Sequence, residues 1–153
     1  MHYPFNVRVY GVLQNEQGQI LVSDEYIKGG FYTKFPGGGL EYGEGTRECL
    51  IREWQEELRQ DIEIIDHLYT TDFFQVSAFG DRRQIISIYY TVRPLGPYKV
   101  PFKKKPFDFE ELRDQAEAFR WVDWEAFGEQ TLSLPIDKVV ARLLKSREAE
   151  QGH

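Results

Sequence analysis

The chain has 153 residues, room for one ordinary domain rather than two. Hydrophobic residues make up 41% and charged residues 29%, which excludes a disordered chain, and no apolar run reaches about 18 residues, which excludes a helical membrane span. The net charge of −6 excludes the basic surface that a nucleic-acid polymer requires, although a phosphorylated small molecule can still bind where metal ions carry the positive charge.

In chain order, Asn6 to Leu13 and Gln19 to Tyr26 are rich in β-branched and apolar residues and flank the turn-forming NEQG. They predict two antiparallel strands. A short extended piece, Tyr32 to Phe35, runs into Pro36-Gly37-Gly38-Gly39, where three glycines permit tight turns and close approach of a ligand to the backbone. Thr46 to Leu58 reads as a helix with Thr46 as its N-cap, Glu44 and Gly45 being alternative starts, and Leu50, Ile51, Trp54 and Leu58 fall on one face. Ile62 to Tyr69 has strand composition. Asp72 to Phe79 and Arg83 to Val92 flank Gly80-Asp81-Arg82, a hairpin signal. Prolines break the stretch from Arg93 to Pro106, and the acidic Phe107 to Gln115 reads as a loop or a brief helix. Phe119 to Val122 predicts a short strand. Pro135 to Glu148 predicts a second helix burying Ile136, Val139, Val140, Leu143 and Leu144. This pattern gives an α/β (α+β) class with helices on the faces of a mixed sheet.

The opening MHYPFNVRVYG lacks a basic segment followed by an apolar run, so no signal peptide is expected, and the single cysteine, Cys49, allows no internal disulfide. Both fit a cytoplasmic protein.

The chemistry concentrates in GGGLEYGEGTRECLIREWQEELRQD, Gly37 to Asp61. Glu53, Glu56 and Glu57 stand at i, i+3 and i+4, within an arc of about 100° on one side of a helix. Like charges at these spacings repel, so a cation between them explains the pattern. All-oxygen ligation suits Mg²⁺ or Mn²⁺. Taken alone, REWQEELR also reads as an ordinary charged helix face. Arg52 has two carboxylates in reach, Glu56 and Glu44. A pair with Glu44 is preferred, because it pins the glycine loop to the helix.

These residues resemble the Nudix hydrolase family, whose box reads G-x5-E-x7-R-E-U-x-E-E-x-G-U, with U a bulky apolar residue. Gly38, Glu44, Arg52, Glu53, Glu56 and Glu57 match its fixed positions, a coincidence expected about once in ten million starts. FPGGGLEYGE and the RWV strand extend the match. Arg59 replaces the box glycine and Gln60 its final apolar residue, so helix termination should differ.

The resemblance implies a single Nudix domain over residues 1–148, with 149–153 a frayed tail, folded as an α/β/α sandwich with a mixed sheet between helices. It implies hydrolysis of the pyrophosphate linkage of a nucleoside diphosphate joined to another group. Glu53, Glu56, Glu57 and the carbonyl of Gly38 or one of its neighbours are the expected Mg²⁺ or Mn²⁺ ligands, and Arg52 and Glu44 complete the catalytic set, with Glu41 an outer candidate. The general base is Glu53 or one of the loop carboxylates Glu110, Glu111, Asp114 and Glu117. The substrate pocket should lie across the sheet from the box helix. Arg8, Tyr10, Phe74 and Tyr90, with Tyr32 and Phe73, are candidates to hold substrate, core packing or plain exposure being their alternative roles. Lys103-Lys104-Lys105 reads as a solvated loop or a phosphate attractor. The expected partner is a small diphosphate, without nucleic acid or membrane, and aromatic richness together with family habit leaves room for a homodimer. The alternative reading is a non-catalytic module that senses a nucleotide or sugar phosphate. No marker assigns a subfamily.

Overall fold

A computed structural model of the chain describes residues 4–151. The first three residues and the last two of the expected frayed tail lie outside that range. The elements are β1 (Phe5–Val12), β2 (Ile20–Ile27), β3 (Gly30–Lys34), β4 (Gly37–Gly39), α1 (Thr46–Leu58), β5 (Asp61–Thr70), β6 (Gln84–Leu95), β7 (Phe102–Lys103), β8 (Ala116–Val122), a 3₁₀ turn (Glu129–Thr131) and α2 (Pro135–Gln151). Among the described residues, eight strands form two mixed four-stranded sheets, ordered β4-β1-β6-β5 and β3-β2-β8-β7. Two helices and two mixed sheets make the expected α+β class. The chain divides into two compact units, Met1–Gln14 with Pro36–Pro101 and Asn15–Phe35 with Phe102–His153.

In the first unit β1 pairs antiparallel with β4 and parallel with β6, and β5 pairs antiparallel with β6. α1 buries Cys49, Leu50, Trp54 and Leu58. Trp54 is fully buried against Gly11, where a Cβ would come within 2.9 Å of the indole nitrogen. That nitrogen donates to the Pro36 carbonyl at 3.2 Å. Pro94 is tolerated inside β6 because the β1 pairing has ended at Thr91 and only β5 remains alongside.

In the second unit β2 and β3 form a hairpin around Lys28 and Gly29, both left-handed (φ 49° and 83°). Asp24 is buried. Its carboxylate accepts from Arg120 Nε (2.6 Å) and Nη2 (3.1 Å), from the Thr33 hydroxyl (2.7 Å) and from the Phe107 backbone N–H (3.2 Å). A buried charge is tolerated when its lone pairs are filled in this way. α2 buries Ile136, Val140 and Ala141, with Val139, Leu143 and Leu144 half-buried.

Several expectations are corrected. β1 and β2 are not an antiparallel pair; they belong to different sheets, and the turn between them closes on itself through Asn15 Oδ1, which accepts from the N–H groups of Gln17 and Gln19. Asp72 to Phe79 is not a strand: only the isolated bridge Val76–Gln84 forms there. The proline stretch does not wholly break structure, since β6 runs to Leu95 and β7 forms at Phe102–Lys103. Gly45, not Thr46, caps α1, and Ile51 faces outward, 45% exposed.

Candidate functional site

The glycine run folds as strand β4, in register with β1 as Gly37–Tyr10, Gly38–Val9 and Gly39–Arg8. Side chains do not fit there. A Cβ at Gly37 would lie 2.1 Å from the Val9 carbonyl oxygen, and one at Gly38 would lie 2.1 Å from Glu53 Oε1. Glycine at 38 therefore lets the Glu53 carboxylate rest against the backbone of β4. After β4, Glu41 and Glu44 form a tight turn in which the Glu41 N–H donates to Glu44 Oε1 (2.9 Å). Gly45 then starts α1, its N–H donating to Glu48 Oε1 (2.9 Å).

Arg52 organises the carboxylates. Its Nε and Nη2 grip the two oxygens of Glu44 at 2.9 and 2.7 Å, the expected bidentate pair. Nη2 also donates to the Gly39 carbonyl (3.0 Å). Nη1 faces the opposite way, 2.9 Å from Glu53 Oε2, 3.1 Å from Glu56 Oε2 and 3.7 Å from Glu41 Oε1. Both open pairings foreseen for Arg52 are thus made. Sequence reasoning missed the Gly39 carbonyl and Cys49, whose buried thiol donates to that carbonyl at 3.5 Å. The only available signal was the position of Cys49 one turn before Arg52.

Electrostatics follow from this packing. The Arg52 guanidinium and the Glu41 N–H hold the Glu44 carboxyl down at about 2. Burial, then the Glu44 charge, push the Cys49 thiol up to about 12. Glu44, Glu53 and Glu56 raise the guanidinium of Arg52 above its usual value.

Among the described residues, no three acidic, histidine or cysteine side chains already stand in a metal-holding cluster. The donor set nonetheless fits a hard dication. Four carboxylates (Glu41, Glu44, Glu53, Glu56) surround one guanidinium, so four negative charges meet one positive and three are left over within this group. The oxygens of Glu53 and Glu56 already turn toward a single cationic nitrogen. Glu57 is half-buried on the same helix. Beside these residues an open groove of about 400 Å³ is lined by Glu48, Ile51, Arg52, Gln55, Glu56 and Asp61.

The remaining candidates are dispersed. Arg8 and Tyr10 lie on the face of their sheet opposite Val9 and Gly11, hence opposite α1. Arg8 Nε donates to the Tyr10 hydroxyl (2.6 Å). Tyr90 is buried under α1, its hydroxyl 2.6 Å from that of Thr46 and its ring under the Arg47 guanidinium. Phe73 and Phe74 are 38% and 72% exposed in the β5–β6 connection. The loop carboxylates belong to the second unit. There Glu110 pairs with Lys103 (2.8 Å), Asp114 Oδ1 accepts from the Lys28 N–H (2.7 Å), Glu111 is exposed, and Glu117 stands opposite Glu25 between β8 and β2. Tyr32 is half-buried on β3, and Lys104 and Lys105 are exposed.

Solved structures share this fold. The ORF135 protein of E. coli superposes with a TM-score of 0.72 at 18% identity, over 97% of this chain and 94% of that one. The MutT protein of Methanosarcina mazei Go1 gives 0.67 at 18% identity, over 100% and 99%. An ADP-ribose pyrophosphatase of Streptococcus suis gives 0.59 at 16% identity, over 93% and 92%. No curated protein matches the sequence. The NUDIX domain family model matches residues 4–143. With the Gly38–Glu57 box folded as a glycine strand, an acidic turn and a helix joined by Arg52, the chain belongs to the NUDIX domain family of pyrophosphohydrolases.

Proposed function

We propose that this protein uses Mg²⁺ or Mn²⁺ to hydrolyse the pyrophosphate linkage of a nucleoside diphosphate joined to another group. The observation that carries the reading is the convergence of Glu53, Glu56 and Glu41 on Arg52 Nη1, while Nε and Nη2 stay committed to Glu44 and Gly39. Glu53, Glu56, Glu57 and the Gly38 carbonyl would hold the dication. Bound there, it would neutralise the diphosphate oxygens and acidify the attacking water.

The protein's own groups do the rest. Arg52 and Glu44 lock the acidic turn to α1, so the ligand oxygens are fixed before substrate arrives. We assign Glu53 as the carboxylate that takes the proton from water: its side chain is 13% exposed and held from two sides, by Arg52 and the β4 backbone. Among the alternatives, the Lys103 ammonium lowers the Glu110 carboxyl below its usual value, which weakens it as a base, and Asp114 is engaged by the Lys28 N–H. Arg8, on the sheet face away from α1, is suited to a substrate phosphate.

The test is a hydrolysis panel with each metal: ADP-ribose, as the Streptococcus suis neighbour is an ADP-ribose pyrophosphatase, with sugar nucleotides, nucleoside triphosphates, dinucleoside polyphosphates and NADH. At least one should be cleaved in wild type, and Glu57→Gln should abolish turnover while leaving metal-free nucleotide binding unchanged. No cleavage of any panel member by wild type would favour a sensing module instead.

A further inference from the structure

The two positions where the chain departs from its family's box lie side by side, and both are unfavourable in isolation. Arg59 caps α1 in the left-handed conformation, φ 50° and ψ 37°, which a non-glycine residue adopts reluctantly. The cap still closes: the Arg59 N–H donates to the Gln55 carbonyl (3.0 Å) and the Gln60 N–H to that of Trp54 (3.3 Å). Gln60 is 2% exposed where an apolar side chain is usual, and its Oε1 is buried without a partner, a destabilising arrangement.

Both side chains are committed to the same stretch of backbone. Gln60 Nε2 lies 3.2 Å from the carbonyl oxygen of its neighbour Asp61, and bridges from there to the carbonyl oxygens of Leu95 (3.3 Å) and Gly96 (3.4 Å). Arg59 Nη2 donates to the Lys99 carbonyl (3.2 Å). Residues 96–99 follow the end of β6 and have no ladder partner of their own. A further tie, Gln55 Nε2 to Asp61 Oδ1 (2.8 Å), closes the same helix end. Glu56 and Glu57 occupy the turn that is fastened in this way.

We propose that Arg59 and Gln60 are positioning residues: they strap the last turn of α1 to segment 95–99 and so fix Glu56 and Glu57 for the dication. Local rules broken at adjacent positions, with both side chains serving one contact, are expected where geometry outweighs local stability. The inference rests on the reading that Glu56 and Glu57 are metal ligands.

The experiment compares wild type with Arg59→Gly, Arg59→Lys and Gln60→Met. It reads the metal-free melting temperature, Mn²⁺ affinity by electron paramagnetic resonance of free Mn²⁺, and kcat and KM. Arg59→Gly relieves the left-handed strain and should raise the melting temperature by about 2–4 °C. It should nevertheless weaken Mn²⁺ binding by about threefold to tenfold and lower kcat with little change in KM. Arg59→Lys keeps a cationic donor and should recover most of the affinity. Gln60→Met, close in shape but without the donor, should weaken Mn²⁺ binding without unfolding the protein. A purely structural strap predicts stability and affinity moving together; the positioning role predicts them moving apart in Arg59→Gly. Mn²⁺ affinity within about twofold of wild type in both Arg59→Gly and Gln60→Met, the scatter of independent sites, overturns the inference and leaves the hydrolase reading standing. A wild type that binds no Mn²⁺ overturns both.

Discussion

Arg52 shows how one side chain can serve two ends of a site. Its fork toward Glu44 is a fixed bidentate pair, whereas Nη1 is shared among carboxylates. The consequence is measurable at Glu44. Its carboxyl is held at about 2 against an ordinary 4.5. The folded value is the lower one, so the pair contributes stability that is complete above about pH 4.5 and is lost as pH falls toward 2. Carbon-detected NMR should find Glu44 still ionised at pH 3, and Glu44→Gln should erase the difference in urea stability between pH 5 and pH 3 that this group supplies. A Glu44 that titrates with the exposed glutamates would show that the pair does not persist in solution. Cys49 gives a second check. With its thiol pushed to about 12, only a trace is thiolate near neutrality. Native protein at pH 8 should resist iodoacetamide and react fully once denatured; rapid native labelling would mean that the Arg52–Gly39–Cys49 packing opens. The pairing of Arg52 with Glu44 and with Glu56 was legible in the sequence, because helical spacing and the short acidic turn bring both carboxylates within reach of the guanidinium. The Gly39 carbonyl was not, since a backbone acceptor is chosen by the path of β4 and not by residue type.

Two of the three glycines of strand β4 exclude a side chain for different reasons. At Gly37 an added methyl would meet the Val9 carbonyl, which is rigid backbone; at Gly38 it would meet the Glu53 carboxylate, the movable end of a side chain. Gly37→Ala should therefore destabilise the protein by about 2 kcal/mol or more, as overpacking does. Gly38→Ala should cost less stability than Gly37→Ala, because a side-chain end gives way more cheaply than backbone, while displacing Glu53 and cutting kcat at least tenfold. Urea denaturation and turnover, measured on both variants, distinguish these outcomes; equal losses of stability would refute the assignment of Gly38 to the site. Helix α1 was legible to its last residue, because a buried stripe of Leu50, Trp54 and Leu58 repeats at helical spacing. Strand pairing was less so. The partners of β1 are β4 and β6, the latter beginning at Gln84, and nothing local favours these over the nearby β2. The false strand at Asp72–Phe79 has a similar cause. Phe73 and Phe74 supply strand composition, yet both are exposed, so there was no alternating buried face to read.

Across the molecule, acidic charge is in excess, with a net −6, and the Gly38–Glu57 segment concentrates it. Self-repulsion of this kind is relieved by a bound dication and only blurred by monovalent salt. A ligand that binds the native state alone stabilises the whole fold by mass action, by about 2.7 kcal/mol at a hundred times its dissociation constant. For a protein of this size, that corresponds to roughly 5–10 °C in melting temperature. Titrating Mg²⁺ or Mn²⁺ at constant ionic strength should raise the wild-type melting temperature progressively, and equivalent NaCl should not. Glu56→Gln combined with Glu57→Gln should flatten the response to the divalent ion, because neutral amides cannot replace carboxylates around a hard cation. The same double variant should melt no lower than wild type without metal, since it removes like charges three and four positions after Glu53. A wild-type curve indifferent to divalent ions, or a rise that survives the double substitution, would place any metal elsewhere and leave the carboxylates around Arg52 as a purely structural network.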